Sequence, residues 1–310
     1  MEFPSTGPHL HIVLNHFPFI GGIFVLGLLI ASAYMKNDGM RRVSLILFVV
    51  LGLLAIPTYI TGAAAGWAYQ GRPDMSNELL QAHRDAALMA LTFLGLTGTV
   101  AWLVLWRERR YGRVSNAGTY AVLGLGIVAL LTVVETGSLG GTVLRPELRQ
   151  GALPEPTGLT GAIEGAIQSI IWAWPSMEAV HFVGMAVLFG VVLLVGLRVL
   201  GVARNVPYSA VHRLLPLGAL ALLVNIVTGM FFFIADSGRY VAMDGFPPKI
   251  MWLMVGGLAI IYFTIFDDIW DVKSNEDAPP RAKVMAALTM VSWAAVLVFG
   301  RLLPYYGEGG

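Results

Sequence analysis

The sequence predicts an all-α polytopic membrane protein with eight transmembrane helices, arranged as two four-helix bundles plus one interfacial helix. Three observations support this prediction. Hydrophobic residues make up 56% of the 310 residues and charged residues only 13%, more apolar surface than a soluble core of this length can bury. The mean hydropathy is +0.72. Apolar runs of the roughly 20 residues needed to cross a bilayer recur along the whole chain.

Each predicted span is an apolar run flanked by polar and turn residues. The eight runs lie near residues 10–35, 44–67, 83–106, 117–140, 177–200, 212–235, 250–267 and 283–303. One connection between these runs is long, and it separates two predicted bundles. The N-terminal bundle covers 1–143, the connection is an extracytoplasmic loop over 144–175, and the C-terminal bundle covers 176–310.

The long loop contains a stretch with helical periodicity that is too short to span a membrane. Its apolar stripe consists of Ile163, Ile167, Ile170, Ile171 and Trp174. Such a stripe, with tryptophans at one end, is typical of a helix that lies in the membrane interface.

Lysine and arginine are distributed unequally between the two sides of the predicted spans. Thirteen of the 20 follow the first, third, fifth and seventh spans, and seven lie on the other side. Because cytoplasmic loops carry the excess of positive charge, both termini and the long loop are expected outside. We expect the protein in the inner (cytoplasmic) membrane of a bacterium.

Charge and cysteine content exclude several classes of function. The net charge is +1, and no basic stripe with interleaved aromatic residues indicates nucleic-acid binding. The chain has no cysteine, which excludes disulfides, thiolate zinc sites, iron–sulfur clusters held by cysteine and covalently attached haem. A redox metal would therefore need histidine, methionine or carboxylate ligands.

Five of the six histidines are predicted in the outer leaflet, at the starts of three helices that all run inward. These are His9, His11 and His16 in the first span, His83 in the third and His181 in the fifth. Two neutral imidazoles from facing helices are the protein ligands of a b-type haem. One haem needs any one pair; two haems would pair His16 with His83, and His9 or His11 with His181. Pro18 is expected to bend the first span and aim His16 inward.

Other roles for these polar residues remain open. A histidine at a membrane edge also serves as an interfacial polar residue or helix-end hydrogen bonder, and His212 at the inner edge is read that way. Glu178 and His181 form one Glu-x-x-His pair, but a di-metal site needs two such pairs and further glutamates. Glu135 either bonds the second nitrogen of a histidine or relays a proton from a quinol, or else pairs with a neighbouring threonine.

Several arginines are predicted on the outer side, where they would neutralise haem propionates or remain solvated. They are Arg84, Arg145, Arg149 and Arg239.

The first half resembles a bacterial four-helix membrane domain of unknown function. The resemblance rests on His11-Ile-Val-Leu-Asn-His16-Phe-Pro18, on His83 and on Thr136-Gly-Ser-Leu-Gly-Gly141. It covers about residues 1–143, with Ile12 where the family's opening motif has proline.

The second half is similar to copper-resistance and cytochrome b type four-helix membrane proteins. This likeness rests on Glu178-Ala-Val-His181-Phe-Val-Gly184, the 197–201 run, and Thr228-Gly229 before Asp236-Ser-Gly-Arg239-Tyr240. Families of this kind often carry b haems or act with periplasmic redox proteins, so the resemblance implies electron transfer.

Two functions follow from these observations. The first is a b-haem subunit, with one or two haems, that exchanges electrons between a membrane quinol or partner subunit and an extracytoplasmic redox partner. If it is an enzyme, it is an oxidoreductase subunit of quinol/cytochrome type, with quinone as a further cofactor. The alternative is a cofactor-free membrane anchor or a copper- or metal-handling transport subunit. Both imply a complex with other membrane or periplasmic subunits in the lipid bilayer.

Overall fold

A computed structural model describes residues 6–72, 75–112, 115–144, 155–202, 205–267, 269–271, 273 and 275–303. Within these ranges the protein is helical and contains no strand. The α-helices are α1 (Gly7–Leu14), α2 (Gly22–Tyr34), α3 (Asp38–Tyr69), α4 (Asn77–Tyr111), α5 (Asn116–Leu144), α6 (Leu159–Ser169), α7 (Ala173–Leu200), α8 (Tyr208–His212), α9 (Leu215–Ala235), α10 (Ser237–Ala242), α11 (Phe246–Ile261) and α12 (Pro280–Leu302).

Eight helical segments in the described part of the chain are long and apolar enough to cross a membrane, which confirms the predicted fold class. They are Gly7–Tyr34, Asp38–Tyr69, Asn77–Tyr111, Asn116–Val143, Ala173–Leu200, Tyr208–Ala235, Phe246–Ile265 and Pro280–Leu302. Several begin earlier than their apolar runs because polar residues cap them. The side chain of Asn37 accepts a hydrogen bond from the Met40 amide, and that of Ser76 accepts one from the Leu79 amide.

The first span changes its helical geometry at Pro18. A π-helical turn over Phe17–Gly21 separates α1 from α2. Proline has no amide hydrogen to continue the α-helical hydrogen bonds, and a wider turn is one way in which a helix accommodates that gap.

The chain forms two compact units, Met1–Ala162 (unit 1) and Ile163–Gly310 (unit 2), each with four of the eight spans. In unit 1, α3 packs against α1, α2 and α4, and α4 packs against α5. The helices α3 and α4 cross at a pair of glycines. A Cβ on Gly52 would lie 3.2 Å from the Gly98 Cα, and one on Gly98 would lie 3.0 Å from the Phe48 carbonyl oxygen, so only glycine permits this approach.

A charged cluster joins three helices of unit 1 near the start of α3. The guanidinium of Arg41 donates to both carboxylate oxygens of Glu108 on α4, at 2.6 and 3.0 Å, and to the Thr119 hydroxyl on α5 at 3.4 Å. It also contacts Asp38 at 3.2 Å. A two-pronged arginine–carboxylate contact fixes geometry better than a single hydrogen bond does.

In unit 2, α7 packs against α9 and α12, and α11 packs against α12. Arg198 near the end of α7 is completely buried. Its guanidinium lies over the Tyr208 ring, 3.7 Å from the centroid, and its Nε donates to the Val206 carbonyl oxygen. The aromatic face and the backbone oxygen partly replace the hydration that this charge loses.

The long connection contains a helix where the periodicity predicted one, but α6 ends earlier than expected. Ile167 is buried, whereas Ile171 is 80% exposed and lies beyond the helix. Trp174 belongs to α7, and its ring lies 4.9 Å from that of Phe232 on α9. The predicted apolar stripe therefore breaks after the second isoleucine, because the chain turns into the next helix there.

Candidate functional site

His11 projects from α1 onto the backbone of α3. Its Nδ1 lies 3.1 Å from the carbonyl oxygen of Thr58. In a helix this carbonyl points toward the residue four positions later, which is Gly62. A Cβ on Gly62 would lie 2.9 Å from Cε1 of His11. The imidazole therefore reaches a helical carbonyl because the residue beside it has no side chain.

His83 repeats this arrangement between α4 and α5. Its Nδ1 lies 3.1 Å from the carbonyl oxygen of Thr136. The residue four positions after Thr136 is Gly140, where a Cβ would lie 3.0 Å from Cε1 of His83. Two helix pairs of unit 1 thus hold an imidazole in the same way.

The partner atoms fix the tautomer of both rings. A carbonyl oxygen only accepts hydrogen bonds, so Nδ1 of His11 and of His83 carries the hydrogen and donates it. In the neutral imidazole Nε2 then has the lone pair. Neither Nε2 has a hydrogen-bond partner among the described residues. Backbone carbonyls commonly orient metal-binding histidines in this manner.

The two imidazoles belong to one neighbourhood. His11 and His83 lie close enough that a positive charge on His11 would act on His83. The charges of Arg84 and Asp85, which follow His83 on α4, act on Tyr59 of α3, the residue after Thr58. The helices α1, α3, α4 and α5 therefore bring two imidazoles and an arginine to one neighbourhood of unit 1.

Asp85 attaches the end of the long connection to this region. Its carboxylate accepts hydrogen bonds from the Gly158 amide at 2.8 Å, the Thr160 amide at 2.9 Å and the Thr157 hydroxyl at 3.0 Å. These groups lie at the start of α6, where a carboxylate also interacts favourably with the helix dipole. A buried aspartate two residues from His83 thus fixes the chain at this end of α4.

The structure does not bring the other histidines of the first span into this pair. The side chain of His16 is exposed, and its Nδ1 donates to the Ile12 carbonyl oxygen of its own helix at 2.7 Å. His9 is exposed as well. His212 lies against Trp270, with 4.6 Å between ring centroids. Ligation by His9 or His16 stays a prediction.

The remaining candidates lie elsewhere. His181 lies in unit 2, where its Nδ1 is 2.7 Å from the Thr228 hydroxyl. Glu178 and Glu135 have exposed side chains. The Nδ1–H of His83 donates to the carbonyl oxygen of Thr136, the residue after Glu135. Arg239 is exposed, and Arg145 and Arg149 fall outside the described residues.

Larger metal-binding groups are not found in the described ranges. No three side chains of histidine, cysteine, aspartate or glutamate there form a group that could hold a metal ion.

Comparisons of this chain with protein-family models, curated proteins and solved structures found no match. The likeness to four-helix membrane families therefore rests on the short motifs alone.

Sequence reasoning named His11 and His83 among five candidate histidines but did not find the residues that orient them. The sequence signal of these orienting residues is a threonine followed four residues later by a glycine, in the membrane span after the one that contains the histidine. The two cases are Thr58 with Gly62 and Thr136 with Gly140. Asp85 was also missed, because an aspartate beside two other polar residues at a helix start has no distinctive pattern.

Proposed function

We propose that unit 1 binds a b-type haem between His11 and His83, and that the protein is a membrane electron-transfer subunit. The observation that carries this proposal is the shared orientation of the two rings. Each donates Nδ1–H to a backbone carbonyl at 3.1 Å and leaves the lone pair of Nε2 available. Bis-imidazole ligation needs two such nitrogens and nothing more from the protein, because the porphyrin supplies the other four.

The residues around the pair fit this group. Gly62 and Gly140 let the rings lie against the helix backbones, which limits their rotation. Arg84 adds a positive charge near Tyr59, where it would neutralise a propionate. A bound haem would supply one-electron chemistry; the chain orients the two imidazoles and holds their protons on Nδ1.

Haem is favoured over a zinc or non-haem iron site by the number of ligands. Zinc and non-haem iron sites need three or four protein ligands, and the described residues contain no group of three. Two imidazoles are enough when a porphyrin completes the coordination.

The distribution of Lys and Arg supports a location at the outer face of a bacterial inner membrane. With 13 of the 20 positive residues on the opposite side, the histidine end of unit 1 faces outward. Its electron-transfer partner would then be an extracytoplasmic redox protein or another subunit of a membrane complex.

The test is a reduced-minus-oxidised absorption spectrum of the full-length protein, expressed with ample haem. We expect b-type bands and about one haem per chain in unit 1. His11→Ala and His83→Ala should each abolish the bands, whereas His212→Ala should leave them intact. His11→Met should retain haem with a raised reduction potential, because methionine in place of histidine raises it.

Absence of b-type bands in the wild-type protein would refute the proposal and favour a cofactor-free membrane subunit. Bands that persist unchanged in both alanine variants would move the ligands to His9, His16 or His181.

A further inference from the structure

The third oriented imidazole, His181, lies on α7 of unit 2. Its Nδ1 is 2.7 Å from the Thr228 hydroxyl on α9, which itself donates to the Val224 carbonyl oxygen at 2.7 Å. Since that hydroxyl has one hydrogen and gives it to the carbonyl, it accepts from Nδ1–H of His181. Nε2 of His181 therefore has the lone pair, and no described residue donates to it.

The residue four positions after Thr228 is not a glycine, unlike the corresponding residues in the two helix pairs of unit 1. That residue is Phe232, whose ring meets the imidazole edge-on with 5.5 Å between centroids. A bulky ring thus stands at the position that glycine occupies in the two helix pairs of unit 1, and His181 bonds the threonine hydroxyl instead of the carbonyl oxygen.

Lys249 lies near the start of α11, close enough for its charge to act on His181. A Cβ on Gly300 of α12 would lie 3.4 Å from the Nζ of Lys249 and 3.5 Å from its Cε. Among the described residues, the ammonium has neither an acidic partner nor a hydrogen-bond acceptor. A charged side chain within a membrane span is costly and is a marker of a functional site.

Aromatic and glycine residues complete the surroundings. The Phe232 ring, which lies against His181, has the Trp174 ring 4.9 Å from it between centroids. Gly229 also lies near the imidazole: a Cβ on this glycine would be 3.6 Å from Cε1 of His181. The four long helices of unit 2 thus place a hydrogen-bond acceptor, a cationic donor and aromatic faces together.

We propose that His181 and Lys249 bind the headgroup of a membrane quinol. Nε2 of His181 needs a ligand with an O–H donor, and the Lys249 ammonium needs an acceptor oxygen. A hydroquinone offers both, and its flat ring suits the aromatic faces of Trp174 and Phe232. A phospholipid phosphodiester satisfies Lys249 but has no O–H for His181 at neutral pH.

This inference rests on the proposed electron-transfer function, for which it names the membrane redox partner. The binding itself involves only residues of unit 2 and needs no haem. The two proposals can therefore fail separately.

The test measures equilibrium binding of decylubiquinol, kept reduced, to the full-length protein in nanodiscs of zwitterionic lipid. We expect saturable binding that His181→Phe and Lys249→Met each weaken about tenfold or more, the scale of one lost hydrogen bond involving a charged group. Lys249→Met should fold, because methionine is also unbranched and the substitution removes a charge from a membrane span. The matched control is Lys273→Gln, since Lys273 is exposed in another connection; it should bind as the wild type does.

The His83→Ala variant distinguishes the quinol proposal from the haem proposal. It removes a proposed haem ligand of unit 1 and should bind the quinol with unchanged affinity. Absence of saturable binding in the wild type would overturn the quinol site whatever the absorption spectrum shows. The site would also be overturned, as an anionic-lipid site, if phosphatidylglycerol displaced the probe and His181→Phe had no effect.

Discussion

The imidazole of His83 lies directly against Gly140, with Cε1 only 3.0 Å from the position that a Cβ on the glycine would occupy. The ring fills the space of the missing side chain and reaches the Thr136 carbonyl through it. The next residue, Gly141, has no atom within 4 Å of its own Cβ position. Adjacent glycines of one helix thus have opposite surroundings.

This contrast predicts opposite effects of two alanine substitutions. Gly141→Ala should stabilise the protein by up to about 1 kcal/mol, because alanine is the better helix former. Gly140→Ala should displace the His83 ring, so it should not gain stability and should reduce haem content at least severalfold. Haem per chain and thermal unfolding measure both effects. Equal haem content in the two variants would contradict the orienting role of Gly140.

Asp85→Asn should weaken the attachment of residues 157–160 to α4. The carboxylate accepts from two amides and a hydroxyl, and the neutral amide replaces an acceptor oxygen by a donor. We expect a loss of about 1–3 kcal/mol and faster cleavage of the long connection in limited proteolysis. Glu155→Gln, at an exposed position in the same connection, is the control and should be cleaved at the wild-type rate.

Arg41 and Glu108 should be energetically coupled. Removing either partner leaves the other partly buried without its two-pronged contact, so Arg41→Met and Glu108→Gln should each destabilise unit 1. The double variant should cost less than the sum of the two, with a coupling of about 1–3 kcal/mol measured by denaturant unfolding. Additive losses would show that the ion pair contributes nothing beyond packing.

Gly98→Val should separate α3 from α4. Even a Cβ at this position would lie 3.0 Å from the Phe48 carbonyl oxygen, and the helix backbone cannot yield as a flexible side chain does. The expected loss is about 1–3 kcal/mol or more, seen as a lower unfolding temperature. Gly95→Ala on the same helix, where a Cβ meets nothing within 4 Å, should be neutral or stabilising.

The sequence by itself determined the eight spans, since the length and composition of an apolar run are set by bilayer thickness and need no partner helix. It also placed His11 and His83 among the candidate ligands, because both open helices that run in the same direction.

The tertiary structure decided which histidines lie against a neighbouring helix. Successive helical residues point about 100° apart, so small rotations of α1 and α4 about their axes determine whether His11, His9 or His16 faces the neighbouring helix. Those rotations depend on packing between helices, at contacts such as His11 on Gly62 and Gly52 on Gly98. Such contacts join residues far apart in the chain, and the hydrophobic pattern of each span does not contain them.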